Sequence, residues 1–134
     1  MGMKTLAVPL AALLLAACSA VQPPPAPAVA APAVSRIDGA AARQMVRAGA
    51  RLVDVRTREE YEAGHVEGAM LLPYDQIEAR AAEVGRREAP VVVYCASGRR
   101  SAIAAATLRK LGFTQVHDLG PMDAWNAPPG RSSQ

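Results

Sequence analysis

A chain of 134 residues has room for one modest domain. Its 15 Lys+Arg against 12 Asp+Glu leave a net charge of +3, with no basic run and no aromatic stacking platform, which argues against a nucleic-acid partner. The two cysteines and two histidines form no cluster with metal-ligand spacing, so no metal is expected.

The first segment is an address rather than a domain. Lys4 supplies a small positive region, and Leu6 to Ala17 form an apolar run too short to span a bilayer comfortably. The run ends in Leu15-Ala16-Ala17-Cys18, which resembles a bacterial lipobox. That resemblance implies a lipoprotein signal peptide over residues 1–17 and a lipidated Cys18 as the first residue of the mature chain. Ser19 after it resembles outer-membrane rather than inner-membrane retention. The expected location is therefore the bacterial cell envelope, facing the periplasm and anchored to the membrane through Cys18. Residues 18–35 are dominated by Pro, Ala and Val and read as an extended tether. In polyproline II geometry, at ~3.1 Å per residue, it would reach roughly 50 Å from the membrane.

From Arg36 onward apolar strands alternate with helical patterns. Asp38 is placed to cap a helix with Ala42, Met45 and Val46 on one side, stopped at Gly49. Leu52–Val55 reads as a short buried strand, Thr57–Ala63 as a polar helix ended by Gly64, and Ala69–Leu72 as another strand. Tyr74, Ile77, Ala81 and Val84 recur at helical spacing before Gly85. Val91–Tyr94 is the candidate central strand. Ile103, Ala104, Thr107, Leu108 and Leu111 form a helical stripe before Gly112, and Gln115–Leu119 supplies the last strand. Apolar strands between helices predict an α/β fold, a mostly parallel sheet covered on both faces. The domain is expected over residues 36–127, with 128–134 as a flexible tail.

The most informative stretch is Val91-Val92-Val93-Tyr94-Cys95-Ala96-Ser97-Gly98-Arg99-Arg100-Ser101. A buried strand ends in a cysteine, a Gly-containing turn follows, and an Ala-rich helix begins. In a parallel sheet, sites lie at the C-terminal ends of strands, where Cys95 falls. Backbone N–H groups at such a turn and the helix dipole favour a thiolate, the nucleophilic form. Cys95 is the candidate catalytic residue; Ala96, Ser97, Gly98, Arg99, Arg100 and Ser101 are the candidate substrate-binding loop. Arg100 is favoured for anion recruitment and loop rigidity, with Arg99 turned to solvent. Asp54 and Arg56, at a strand end, read as supporting residues that brace the loop or as substrate contacts. Trp125 and Met122 read as packing residues. His117 falls on a strand with no partner visible in sequence. With Cys18 acylated, Cys95 is the one free thiol left.

Four pieces of the chain, in order, resemble the rhodanese family of sulfurtransferases: Leu52-Val53-Asp54-Val55-Arg56; Glu59-Glu60-Tyr61 through Gly64-His65-Val66-Glu67-Gly68-Ala69, closed by Leu72-Pro73; the Cys95 loop; and Leu111-Gly112-Phe113 with Leu119-Gly120, Met122 and Ala124-Trp125. The four residues between Cys95 and Arg100 matter. Related dual-specificity phosphatases use C-x5-R to cradle phosphate, whereas C-x4-R suits a sulfane sulfur. The resemblance implies a five-stranded sheet and a transferase that carries sulfur as a Cys95 persulfide without a cofactor. It also implies a small anionic donor such as thiosulfate, a thiol or cyanide acceptor, a monomer, and a turn-stabilising His65. A non-enzymatic binding or redox-sensing module of the envelope is the alternative. One departure is Gly120-Pro121, where the family often has Gly-Gly.

Overall fold

The computed structural model describes residues 35–130. The segment expected to be a signal peptide, the expected lipidation site Cys18, the expected tether up to residue 34 and the tail beyond residue 130 lie outside the described residues. Five strands, β1 (Ser35–Arg36), β2 (Arg51–Asp54), β3 (Met70–Leu71), β4 (Val91–Cys95) and β5 (Val116–Pro121), form one sheet in the order β1-β5-β4-β2-β3. Every pairing is parallel. Helices α1 (Gly39–Arg47), α2 (Arg58–Ala63), α3 (Ile77–Arg80) and α4 (Arg99–Lys110) connect them.

The central strand shows how the two faces are made. Side chains alternate along a strand, so Val91, Val93 and Cys95 join Ile77, Ala104, Ala105 and Leu108 beneath α3 and α4. Val92 and Tyr94 go the other way, to Ala42 of α1 and to Ala124 of the 3₁₀ segment Met122–Asn126. All five β4 residues are buried, as in a strand covered on both faces. Trp125 and Met122 pack against this second cluster, as expected.

Local signals hold where they are chemical. Asp38 accepts the Ala41 N–H at 2.8 Å and caps α1. Thr57 and Glu60 form a reciprocal capping box that starts α2. Other expectations need correction. The single helix expected from Tyr74 to Val84 is two 3₁₀ turns flanking one α-turn. Ile77 and Val84 are its buried anchors, and so short a segment is shaped by their packing rather than by helix propagation. The buried stripe of α4 is Ser101, Ala104, Ala105 and Leu108, while Ile103 is 41% exposed. Small residues on that face let the helix approach the sheet closely, and Ile103 lies one position around from it. Ser35, read as the end of the tether, pairs with His117 in β1. That strand is held by backbone bonds such as Ile37 N–H to Asp118 C=O at 2.9 Å, which leave no apolar pattern to read.

Gly39 permits a close backbone approach of α1 to the 3₁₀ segment Met122–Asn126. A Cβ there would run into the Ala124 carbonyl and stand 2.8 Å from that of Trp125. Both contacts are backbone, so neither yields by a rotamer change. Gly39→Ala is expected to destabilise the domain by about 1–3 kcal/mol through overpacking. Urea unfolding followed by Trp125 fluorescence checks it, and an unchanged midpoint refutes it.

Candidate active site

Cys95 ends β4, and the chain turns at Gly98, whose φ of +93° lies in the left-handed region that favours glycine. Arg99 begins α4, so the loop is the segment 96–98 and its last predicted members occupy the first turn of a 12-residue helix. The Gly98 N–H donates to Cys95 Sγ at 3.0 Å. The cysteine is fully buried, and Ala104 and Ala105 belong to the same apolar cluster. Ala96 and Ser97 are exposed. The sulfur thus sits at the floor of a short loop, with a backbone donor aimed at it and the positive end of α4 above it.

Each other predicted residue has a definite place. Ser101 is fully buried, and its hydroxyl donates to the Gly98 carbonyl at 3.0 Å, closing the turn from below. Arg99 is exposed, as expected. Arg100 reaches across to α2, where Nη1 and Nη2 donate to the two Glu60 carboxylate oxygens at 2.7 and 2.8 Å. This fork gives the rigidity expected of Arg100, but its charge is offset by Glu60. Glu60 was read only as part of a sequence motif and carries no predicted site role. A partner 40 residues away leaves no local trace in the sequence. The Arg100 hydrogen bonds, with that from Thr57, lower the Glu60 carboxyl from 4.5 to about 2.

Asp54 and Arg56 pair with each other beside Tyr94. Arg56 Nε and Nη2 donate to Asp54 at 3.0 and 2.7 Å, and Nη2 also donates to the Gly64 carbonyl at 2.7 Å. The Tyr94 hydroxyl donates to Asp54 Oδ2 at 2.7 Å and accepts the Val66 N–H at 3.1 Å. Burial pushes the Tyr94 hydroxyl well above its ordinary value, so it stays a donor. Hydrogen bonding to Asp54 raises Arg56 further. These contacts brace the end of β2, the turn after α2 and β4.

The two histidines stand apart from Cys95 chemistry. His65 donates from Nδ1 to the Tyr61 carbonyl at 2.8 Å and stacks on the Tyr61 ring at 3.7 Å, a turn-stabilising arrangement. His117 is half-buried on β5, where burial lowers its pKa. Among the described residues no His/Cys/Asp/Glu group is arranged to hold a metal ion.

A parallel α/β sheet with a thiol in a short loop at the C-terminal end of its central strand defines a class of protein. The rhodanese-like domain profile matches residues 38–128, and the chain belongs to the rhodanese-like family. It is 43% identical over 77 residues to the uncharacterized protein YqhL of Bacillus subtilis, covering 57% of this chain and 60% of that one. It is 38% identical over 69 residues to the thiosulfate sulfurtransferase PspE of Escherichia coli K12, covering 51% of this chain and 66% of that one. Both alignments therefore span less than two thirds of the relative. Among solved structures it resembles the human single-domain sulfurtransferase TSTD1, with a TM-score of 0.61 and 28% identity over 72% of this chain and 97% of that one.

The Glu60–Arg100 clamp has a pH signature. The folded carboxyl titrates below its unfolded value, so the folded state binds fewer protons between pH 4.5 and about 2. The pair's contribution is complete above that window and drains away as pH falls through it. Glu60→Gln is expected to be less stable than wild type at neutral pH and to converge with it in strong acid. Urea midpoints measured across the acid range check this; a gap that persists at the acid end refutes it.

Proposed function

We propose that this chain is a rhodanese-type transferase that moves a sulfane sulfur from a small anionic donor, such as thiosulfate, to cyanide or a thiol through a persulfide on Cys95. The observation that carries the reading is the Gly98 N–H aimed at Sγ at the N-terminus of α4, inside a C-x4-R loop. The names of relatives such as PspE and human TSTD1 support the same chemistry.

The cycle has two displacements. Cys95 thiolate attacks the outer sulfur of thiosulfate, the S–S bond breaks, and sulfite leaves with its electron pair. The terminal sulfur of the resulting persulfide carries the negative charge, which the helix N-terminus and the loop N–H groups stabilise. The acceptor then attacks that terminal sulfur. Cyanide leaves as thiocyanate, or a thiolate leaves as a persulfide, and the Cys95 thiolate returns. Proton and electron counts close without a cofactor, giving ping-pong kinetics. Because Sγ has no exposed surface, donor entry requires the exposed 96–97 segment to yield.

Intact mass after thiosulfate treatment tests the reading. Wild type is expected to gain about one sulfur atom, and Cys95→Ser to gain none. Failure of every donor to modify wild type overturns it and leaves a binding or sensing module.

We further propose that Cys18 is lipidated after removal of residues 1–17 and holds a monomeric domain at the periplasmic face of the cell envelope, with the outer membrane favoured. The Leu15-Ala16-Ala17-Cys18 sequence supports this. Expressed in a bacterium, the full chain is expected in the detergent phase of Triton X-114, and Cys18→Ala in the aqueous phase. Identical partitioning of the two refutes it.

A further inference from the structure

The cycle proposed above needs a cation to receive an anionic donor, and two arginines beside the loop are already engaged. Arg100 gives both ends of its fork to Glu60, and Arg56 is buried on Asp54. A third guanidinium arrives from the sheet edge. Arg36, the last residue of β1, lies against both glycines that shape the site. A Cβ on Gly98 would stand 3.2 Å from Arg36 Nη2 and 3.4 Å from Nη1; one on Gly120 would stand 3.2 Å from Cζ and Nη1.

Those glycines are not remote. The Gly98 N–H donates to Cys95 Sγ, and Gly120 precedes Pro121, the residue registered against Cys95. The guanidinium therefore covers the loop that encloses the sulfur. Among the described residues the Arg36 side chain makes one hydrogen bond, from Nη2 to Asp118 Oδ2 at 3.2 Å, and 34% of it is exposed. Asp118 is itself shared, since its Oδ1 accepts the Gly120 N–H at 2.8 Å. Arg36 is anchored enough to be in place, and keeps donors free to meet an oxyanion. Arg99 is exposed as well, but no described group anchors it, so it would have to be ordered on the donor.

We propose that Arg36 is the donor-binding cation of this site and sets a preference for doubly over singly charged sulfur donors. The proposal rests on the sulfur-transfer reading above. It places a recognition residue at the junction between the predicted tether and the domain, outside the residues 38–128 that carry the family match.

Steady-state kinetics with cyanide as acceptor and two nearly isosteric donors test it: thiosulfate, a dianion, and methanethiosulfonate, a monoanion. Arg36→Gln is expected to raise KM for thiosulfate about tenfold with kcat within about twofold, and to raise KM for methanethiosulfonate about threefold or less. Arg36→Lys should recover part of the loss, and Arg99→Gln should raise KM less than Arg36→Gln. The double variant Arg36→Gln/Asp118→Asn avoids an orphaned buried carboxylate and should show the same split between donors. An unchanged KM, equal losses for both donors, or a fall in kcat alone overturns the assignment. Persulfide formation on wild type with any of those outcomes overturns Arg36 only; a wild type inert to both donors overturns the reading beneath it.

Discussion

Asp54 is a carboxylate with no exposed surface, and the neighbouring ends of β2 and β4 are arranged to satisfy it. It takes the Arg56 guanidinium, the Arg56 N–H and the Tyr94 hydroxyl. Through them it ties β2 to β4, and through Gly64 and Val66 it holds the turn after α2. A buried charge stripped of a partner costs about 3–5 kcal/mol, so this cluster tolerates little displacement. Tyr94 immediately precedes Cys95, and successive strand residues face opposite ways. Pinning the phenol on Asp54 on one face therefore directs the Cys95 side chain to the other, beneath α4.

The carboxylate–guanidinium pairs around the loop differ in kind. Arg56–Asp54 is almost wholly buried, and breaking it would strand a charge. Arg100–Glu60 is partly exposed on both sides, and such pairs contribute at most about 1 kcal/mol. Its value is geometric: two parallel hydrogen bonds fix the first turn of α4 against α2, and with it the direction of the Gly98 N–H. Arg36–Asp118 is looser still, a single contact at 3.2 Å. Rigidity thus falls from the buried pair beside Tyr94 to the single contact at the sheet edge. That order suits a loop that must hold a thiol in one place while admitting a donor from outside.

Much of this was legible because it is written locally. The continuous apolar run Val91–Tyr94 placed the thiol at a strand end, Asp38 announced a helix start, and Gly98 marked the turn, which the structure builds with a positive φ. What escaped was non-local or lacked side-chain pattern. β1 consists of two exposed residues paired through backbone, and nothing apolar betrays it. Glu60 and Arg36 look like ordinary surface charges until the fold brings them to Arg100 and to Gly98. The Ile103 stripe failed for a related reason: hydrophobic spacing favoured the larger residue, but Ala104 and Ala105 face the sheet. Asp54 and Arg56 were readable as a supporting pair, but Tyr94 as their third member was not.

The departure at Gly120-Pro121 also finds its place in this geometry. The β4–β5 register slips between Val93 and Tyr94, so that Val93 faces Asp118 while Tyr94 faces Gly120 and Cys95 faces Pro121. The bulge brings the Gly120 Cα within 3.5 Å of where a Gly98 Cβ would lie, and the Arg36 guanidinium fills the remaining space over both. Loop and bulge are thus packed backbone against backbone, and a side chain on either glycine would displace the arginine or the turn. The two left-handed glycines hold the Cys95 loop by steric fit as well as by hydrogen bonding.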